Sequence, residues 1–164
     1  MKLTTLMLAV CLAVPAFAQE AAKFYKLDFV VKELDDNKVV SAKSYTTFAT
    51  SDQKERYVCS VRTGNRVPYQ AALNSWQYAD VGVNIDCAGA ARDWNGQIML
   101  SVVAEISTLP SGAEATPNAL PTVRQNKWNS TVVLPIGKAT TLFSSDDLNS
   151  KRKMQLELTA TLIK

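Results

Sequence analysis

Apolar and polar residues alternate along most of this chain beyond its first two dozen positions. Tyr78 to Cys87 (YADVGVNIDC) sets Val81, Val83, Ile85 and Cys87 on one side, with Asp80, Asn84 and Asp86 on the other. Gln97 to Ser107 (QIMLSVVAEIS) does the same with Ile98, Leu100, Val102, Ala104 and Ile106. Side chains along a strand point to opposite faces with period 2, so each stretch predicts a half-buried β-strand. The intervening AGAARDWNG contains Asp93, Asn95 and Gly96, which suit a turn. The pair therefore predicts an antiparallel hairpin with one apolar face.

The same rhythm recurs on both sides. Tyr25, Leu27, Phe29 and Val31 alternate with Lys26, Asp28, Val30 and Lys32. Asp35-Asp36-Asn37-Lys38 signals a turn, and Val39 to Thr50 is rich in β-branched and aromatic residues, which predicts a first hairpin. Ser51 to Glu55 reads as a polar turn. Arg56 to Arg62 follows as a strand with Tyr57, Cys59 and Val61 on one side. Thr63 to Arg66 reads as a turn into Val67-Pro68-Tyr69, where Pro68 has no N–H to give a ladder and marks an edge or a strand end. Gln70 to Ser75 suits a short helical turn. Thr108 to Thr122 holds Pro110, Pro117 and Pro121 and reads as a mobile loop. Strands are predicted again over Lys127–Leu134 and Ala139–Ser144, on either side of Pro135-Ile136-Gly137. After a turn at Ser145–Ser150, Met154, Leu156, Leu158, Ala160 and Leu162 form one more apolar face. Eight or nine short strands and no helix in the body predict an all-β fold, an antiparallel sandwich or rolled sheet.

The ends change the picture. Lys2, the apolar run Leu3–Val14 and Ala16-Phe17-Ala18 have the layout of a cleaved signal peptide, residues 1–18. The run is about 12 residues, short of the roughly 20 that a spanning helix needs. Val10 before Cys11 does not suit a lipoprotein acceptor. Residues 19–164 are then expected to form a single exported domain of a size that supports its own core. Loss of the leader removes one lysine and leaves 17 basic against 15 acidic residues. No basic cluster exceeds Lys151-Arg152-Lys153, so no nucleic-acid partner is expected. Cys59 and Cys87 remain, and outside the cytoplasm a disulfide between them is the default; two buried free thiols are the other reading. A disulfide would be worth about 3–4 kcal/mol in the chain-entropy model.

The chain has no histidine. That removes Ser-His-Asp and Cys-His nucleophilic schemes and most zinc and non-haem iron sites. No GxSxG, P-loop or GxGxxG is present. The carboxylate pairs Asp35-Asp36 and Asp146-Asp147 sit in predicted turns, where aspartates cap backbone N–H groups; acid–base work and a calcium site at Ser145-Asp146-Asp147 are the rarer readings. Trp76, Trp94 and Trp128 suit packing before carbohydrate stacking. Asn129-Ser130-Thr131 matches a glycosylation sequon. No catalytic residue, cofactor or metal is expected, and the protein is not expected to be an enzyme.

Several of these stretches, in order, resemble the C-terminal β-domain of bacterial secretins, the outer-membrane channels of type II and III secretion and type IV pili. Gly64-Asn65-Arg66-Val67-Pro68-Tyr69 is similar to that family's glycine followed by apolar-Pro-aromatic. Tyr78-Ala79-Asp80-Val81-Gly82-Val83-Asn84-Ile85 resembles its aromatic-x-Asp-apolar-Gly stretch, and Glu105-Ile106-Ser107 the end of its next strand. Ser130 to Gly137 resembles the strand and glycine that follow, with Arg124 a little out of register. The chain departs from the family after Gly137, where Leu142 to Asp147 replaces a Gly-Gly-apolar run, and it is expected to lack the ring domains that precede the secretin domain. The resemblance implies a reduced or divergent relative and makes Gly64, Pro68, Tyr78, Asp80, Gly82, Glu105, Ser107 and Gly137 its structural motif residues. It also implies a non-catalytic cell-envelope protein of the bacterial periplasm or outer membrane. Such a protein would assemble with itself or with secretion or pilus components and associate with the outer membrane. The residues by themselves leave open a soluble periplasmic binding or adhesion domain with no role in secretion.

Overall fold

The alternating stretches fold as strands, and neighbours in sequence pair as antiparallel hairpins. The computed structural model describes residues 23–51, 56–72, 75–108, 123–147 and 151–163. The expected signal peptide, residues 52–55, the 109–122 stretch and residues 148–150 lie outside them. The described residues hold eight strands and no helix: β1 Phe24–Asp35, β2 Lys38–Ser51, β3 Arg56–Ala72, β4 Ser75–Trp94, β5 Gln97–Thr108, β6 Arg124–Pro135, β7 Thr140–Asp146 and β8 Arg152–Ile163.

Hydrogen bonding runs in the order β6-β5-β4-β3-β2-β1-β8-β7. The join between β2 and β3 is only Thr50 opposite Val58 and Ser51 opposite Tyr57. The strip therefore folds at that corner into two four-stranded antiparallel sheets, an all-β sandwich. β1 lies against β8 along its whole length, from Phe24 opposite Ile163 to Asp35 opposite Arg152.

The apolar faces meet between the sheets. Tyr25, Leu27 and Phe29 of β1 and Leu156, Leu158 and Ala160 of β8 join Ile85 and Cys87 of β4 and Ile98 to Ile106, every second residue, of β5 in one buried cluster. A fully buried side chain of this size contributes about 1.5–3 kcal/mol, so this interleaved layer is the main stabilising term. Cys59 and Cys87 face each other across β3 and β4 and are disulfide-bonded, with Cα atoms 5.0 Å apart, in the ordinary disulfide range. The chain crosses from one sheet to the other between β6 and β7. There Gly137 takes φ 79°, a left-handed value that suits glycine, and its N–H donates to the Ala160 carbonyl at 2.7 Å. Trp128 is half-buried beside Phe143, ring centres 6.3 Å apart, and so packs on the core.

Three local expectations are corrected. Thr63–Arg66 is no turn: β3 runs through it and through Pro68 as one strand of 17 residues. AGAARDWNG continues β4 as far as Trp94, and the turn shrinks to Asn95 and Gly96, with φ 52° and 73°. These are the positive values of a two-residue type I′ hairpin, and Asp36 and Asn37 (φ 46° and 64°) make another. Gln70–Ala72 and Ser75 are strand, where a helical turn was expected. At Thr63–Arg66 residue-by-residue pairing with Asp80–Val83 of β4 outweighs local turn propensity. Pro68 is accommodated because β3 bonds only to β4 there, so its nitrogen needs no second partner.

Candidate functional site

Beyond a certain point β3 and β4 leave the sandwich together. The β4–β5 ladder stops at Val83 opposite Ile106, and β2 touches β3 only at its far end. Residues 64–72 and 75–82 therefore pair only with each other, as a two-stranded ribbon projecting from the body. All the motif residues but Gly137 lie on this ribbon or at its base.

The base is a glycine waist. Gly64 stands directly opposite Gly82. A Cβ on Gly64 would lie 2.6 Å from the Val81 carbonyl oxygen, and one on Gly82 would collide with the Thr63 carbonyl oxygen and the Gly64 Cα. Both obstacles are backbone, so neither can swing aside. The two strands approach more closely here than side chains permit, and only a glycine pair fits. Ser107 fastens the third strand to this point. Its hydroxyl accepts from the Gly82 N–H at 3.0 Å and lies 3.3 Å from the Asp80 carbonyl. The side chain thus replaces the ladder bond that is lost where β4 parts from β5. Glu105, two residues back, accepts from Gln125 Nε2 at 2.7 Å and lies 3.7 Å from Lys127 Nζ, which ties β5 to β6.

The two ribbon faces differ. On one, Arg66 Nε donates to Asp80 Oδ1 at 3.1 Å, and the guanidinium lies 5.4 Å from the centre of the Tyr78 ring. Pro68 is opposite Tyr78, and Trp76 follows at the next position on that face. Trp76 is 64% and Tyr78 58% exposed. An ion pair this open to water contributes at most about 1 kcal/mol, so Arg66 and Asp80 orient the ribbon surface more than they stabilise it. On the other face the Tyr69 hydroxyl donates to Gln77 at 2.8 Å.

Asp146 and Asp147 pair with Lys153 and Arg124, and Asp35 lies 4.0 Å from Arg152. Among the described residues no cluster of carboxylate or sulfur ligands could hold a metal. Gly137 lies away from the waist, at the crossing between the sheets. The contact that local reading missed is the glycine pair itself, although a signal for it exists. Once Cys59 faces Cys87, five residues onward from one and five back from the other bring Gly64 against Gly82.

No family profile matches the sequence, and no curated protein does. Solved structures do match. The secretin ExeD of Aeromonas hydrophila is 11% identical with a TM-score of 0.51, over 86% of this chain and 46% of that one. The secretin-domain β-barrel of InvG from the Salmonella SPI-1 injectisome is 12% identical at 0.47, over 87% and 62%. GspD, the type II secretion system secretin of E. coli K12, is 12% identical at 0.46, over 87% and 48%. The chain thus spans less than two thirds of each of these proteins. The likeness to ExeD is one of fold and takes in 86% of the chain. The protein has a secretin-like β-fold.

Proposed function

We propose that this is an exported, non-catalytic cell-envelope protein that works by assembly, with copies of itself or with components of a protein secretion or pilus system. The observation that carries this reading is the coincidence of motif and geometry. All the residues that resemble the secretin motif, Gly137 excepted, lie on one ribbon or at its glycine waist, in a fold that matches the secretin ExeD over 86% of this chain. The ribbon adds a physical means of assembly. Its two outer strand edges offer unpaired backbone donors and acceptors, which a neighbouring chain can extend by strand addition. Export follows from the leader at residues 1–18, and the periplasm or outer membrane is its destination.

The second reading, a soluble periplasmic binding or adhesion domain, draws support from the exposed Trp76 and Tyr78. Membrane fractionation and light scattering of the full-length product, expressed with its leader in a Gram-negative host, separate the two. Assembly predicts a large, detergent-extracted complex in the envelope fraction. A monomer released with the soluble periplasm would overturn it in favour of the second reading.

A further inference from the structure

Trp128 packs on the core beside Phe143, as tryptophans in a small β-domain ordinarily do, but Trp76 does not. Trp76 and Tyr78 stand at alternate positions of β4, about 6.5–7 Å apart along the strand, on one face of the ribbon. Both rings stay more than half exposed. The same face runs past the Arg66–Asp80 rung to the glycine waist. Gly64 and Gly82 lie opposite each other and carry no side chains, so the row of outward side chains breaks there. The break is a shallow groove of about 340 Å³. The paired glycines are its floor, with Arg66 and Asp80 on one side and Arg62, Asn84 and Glu105 on the other. Aromatic rings and groove thus form one continuous strip, from Trp76 through Tyr78 to the bare backbone of the waist.

The chemistry of the strip selects among ligands. Arg62 and Arg66 balance Asp80 and Glu105, so the groove favours neither a polyanion nor a polycation. The aliphatic residues of the ribbon, Val67, Ala79 and Val81, fall on the opposite face, and an ion pair interrupts this one. A bilayer-facing surface needs the reverse, an unbroken aliphatic band. A sugar fits both parts of the strip. The C–H face of a pyranose is apolar and slightly positive, and it stacks on the negative face of an indole or phenol ring. Its hydroxyls each donate and accept, which an adjacent guanidinium and carboxylate can match. Arg66 engages Asp80 through Nε and Oδ1 alone, so its terminal nitrogens and the Asp80 Oδ2 are left for a ligand. The exposed Asn84 amide adds one acceptor and a pair of donor hydrogens. The guanidinium 5.4 Å from the Tyr78 ring centre fixes that ring before a ligand arrives. We propose that this strip binds an extended, uncharged polysaccharide, its sugar rings on Trp76 and Tyr78 and its hydroxyls on Arg66, Asp80 and Asn84. Assembly through strand edges leaves the faces of the ribbon open, so the site goes beyond the assembly reading and does not depend on it.

The test is calorimetric titration of the processed full-length protein with chitohexaose and with cellohexaose, two uncharged, extended hexasaccharides. Saturable binding of at least one is expected. Trp76→Ala and Tyr78→Ala should each weaken it about tenfold or more, and Trp76→Phe, which keeps a ring, should retain most of it. Both rings are open to solvent, so the variants are expected to melt as the wild type does; where Trp76→Ala does not, Trp76→Thr, which suits a strand, takes its place. Light scattering of the same sample reads assembly separately, so failure of one reading is told apart from failure of the other. No saturable binding of either sugar, or binding that either ring deletion leaves unchanged, would overturn the proposal. So would flotation with phosphatidylglycerol vesicles that is lost on Trp76→Ala, which would assign the rings to a bilayer.

Discussion

The two halves of β4 are one strand in two environments. From Val83 to Cys87 it lies between β3 and β5, and Val83, Ile85 and Cys87 are all but sealed from water. From Ser75 to Gly82 it has β3 alone; Ala79 and Val81 keep to the same alternation, but no residue there is buried. The rhythm of the sequence is continuous across the glycine waist, whereas burial is not. Alternation specifies a strand with two unlike faces. Whether the apolar face is covered depends on how many strands flank it, and that is decided by ladders formed with distant parts of the chain.

The sharpest way to break this comparison is to place a charge on each half. Ile85→Asp puts an unpaired carboxylate in the fully buried layer and should cost more than about 4 kcal/mol, enough to unfold the domain. Tyr78→Asp on the ribbon should stay within about 0.5 kcal/mol of wild type. Thermal melts of both variants measure the contrast, and equal destabilisation would erase the distinction between body and ribbon. Next in size is the waist. Gly82→Ala forces a methyl group into the opposite backbone and should cost about 1–3 kcal/mol by urea unfolding, with the Cys59–Cys87 disulfide still formed. Ser107→Ala strips the Gly82 N–H of its acceptor and should cost about 1 kcal/mol, with faster amide exchange at Gly82 read by NMR.

The smallest effect belongs to Asp28 on the outer face of β1. The Thr46 hydroxyl, donating at 2.6 Å, holds its carboxyl below the ordinary value, and Lys26 adds to this against a partial desolvation. A carboxyl depressed in the folded state stabilises the fold above its unfolded pKa, near 3.9, and this support disappears as pH falls through the lower folded value. Thr46→Val should therefore lower Tm slightly at pH 7, and the difference from wild type should vanish at a pH below both values. A variant whose deficit is the same at both pH values would show that the hydroxyl does not act through the carboxylate.

Much of the body is legible locally. The run from Ile98 to Ile106 and that from Leu156 to Ala160 are buried at every second residue, as their alternation predicts. Asp36-Asn37 turns where its composition says it should. Pro68 lies on a strand edge, as its missing N–H implies. Gly64 misleads, because a glycine that punctuates a turn and one that permits close approach of two strands look alike in a single chain. The difference lies in Gly82, whose partnership is set by register. Long-range register was thus the missing information there. The Cys59–Cys87 pair is the one sequence feature that could have supplied it for β3 and β4.

The pairing of Phe24 with Ile163 also has a mechanical side. The first and last described strands are neighbours that leave the molecule at the same corner. A pulling force applied there would meet the β1–β8 bonds one after another, like teeth of a zipper, and not all together in shear. A tether at that corner would release the body at low load, while the β3–β4 pair, cross-linked through sulfur, would hold.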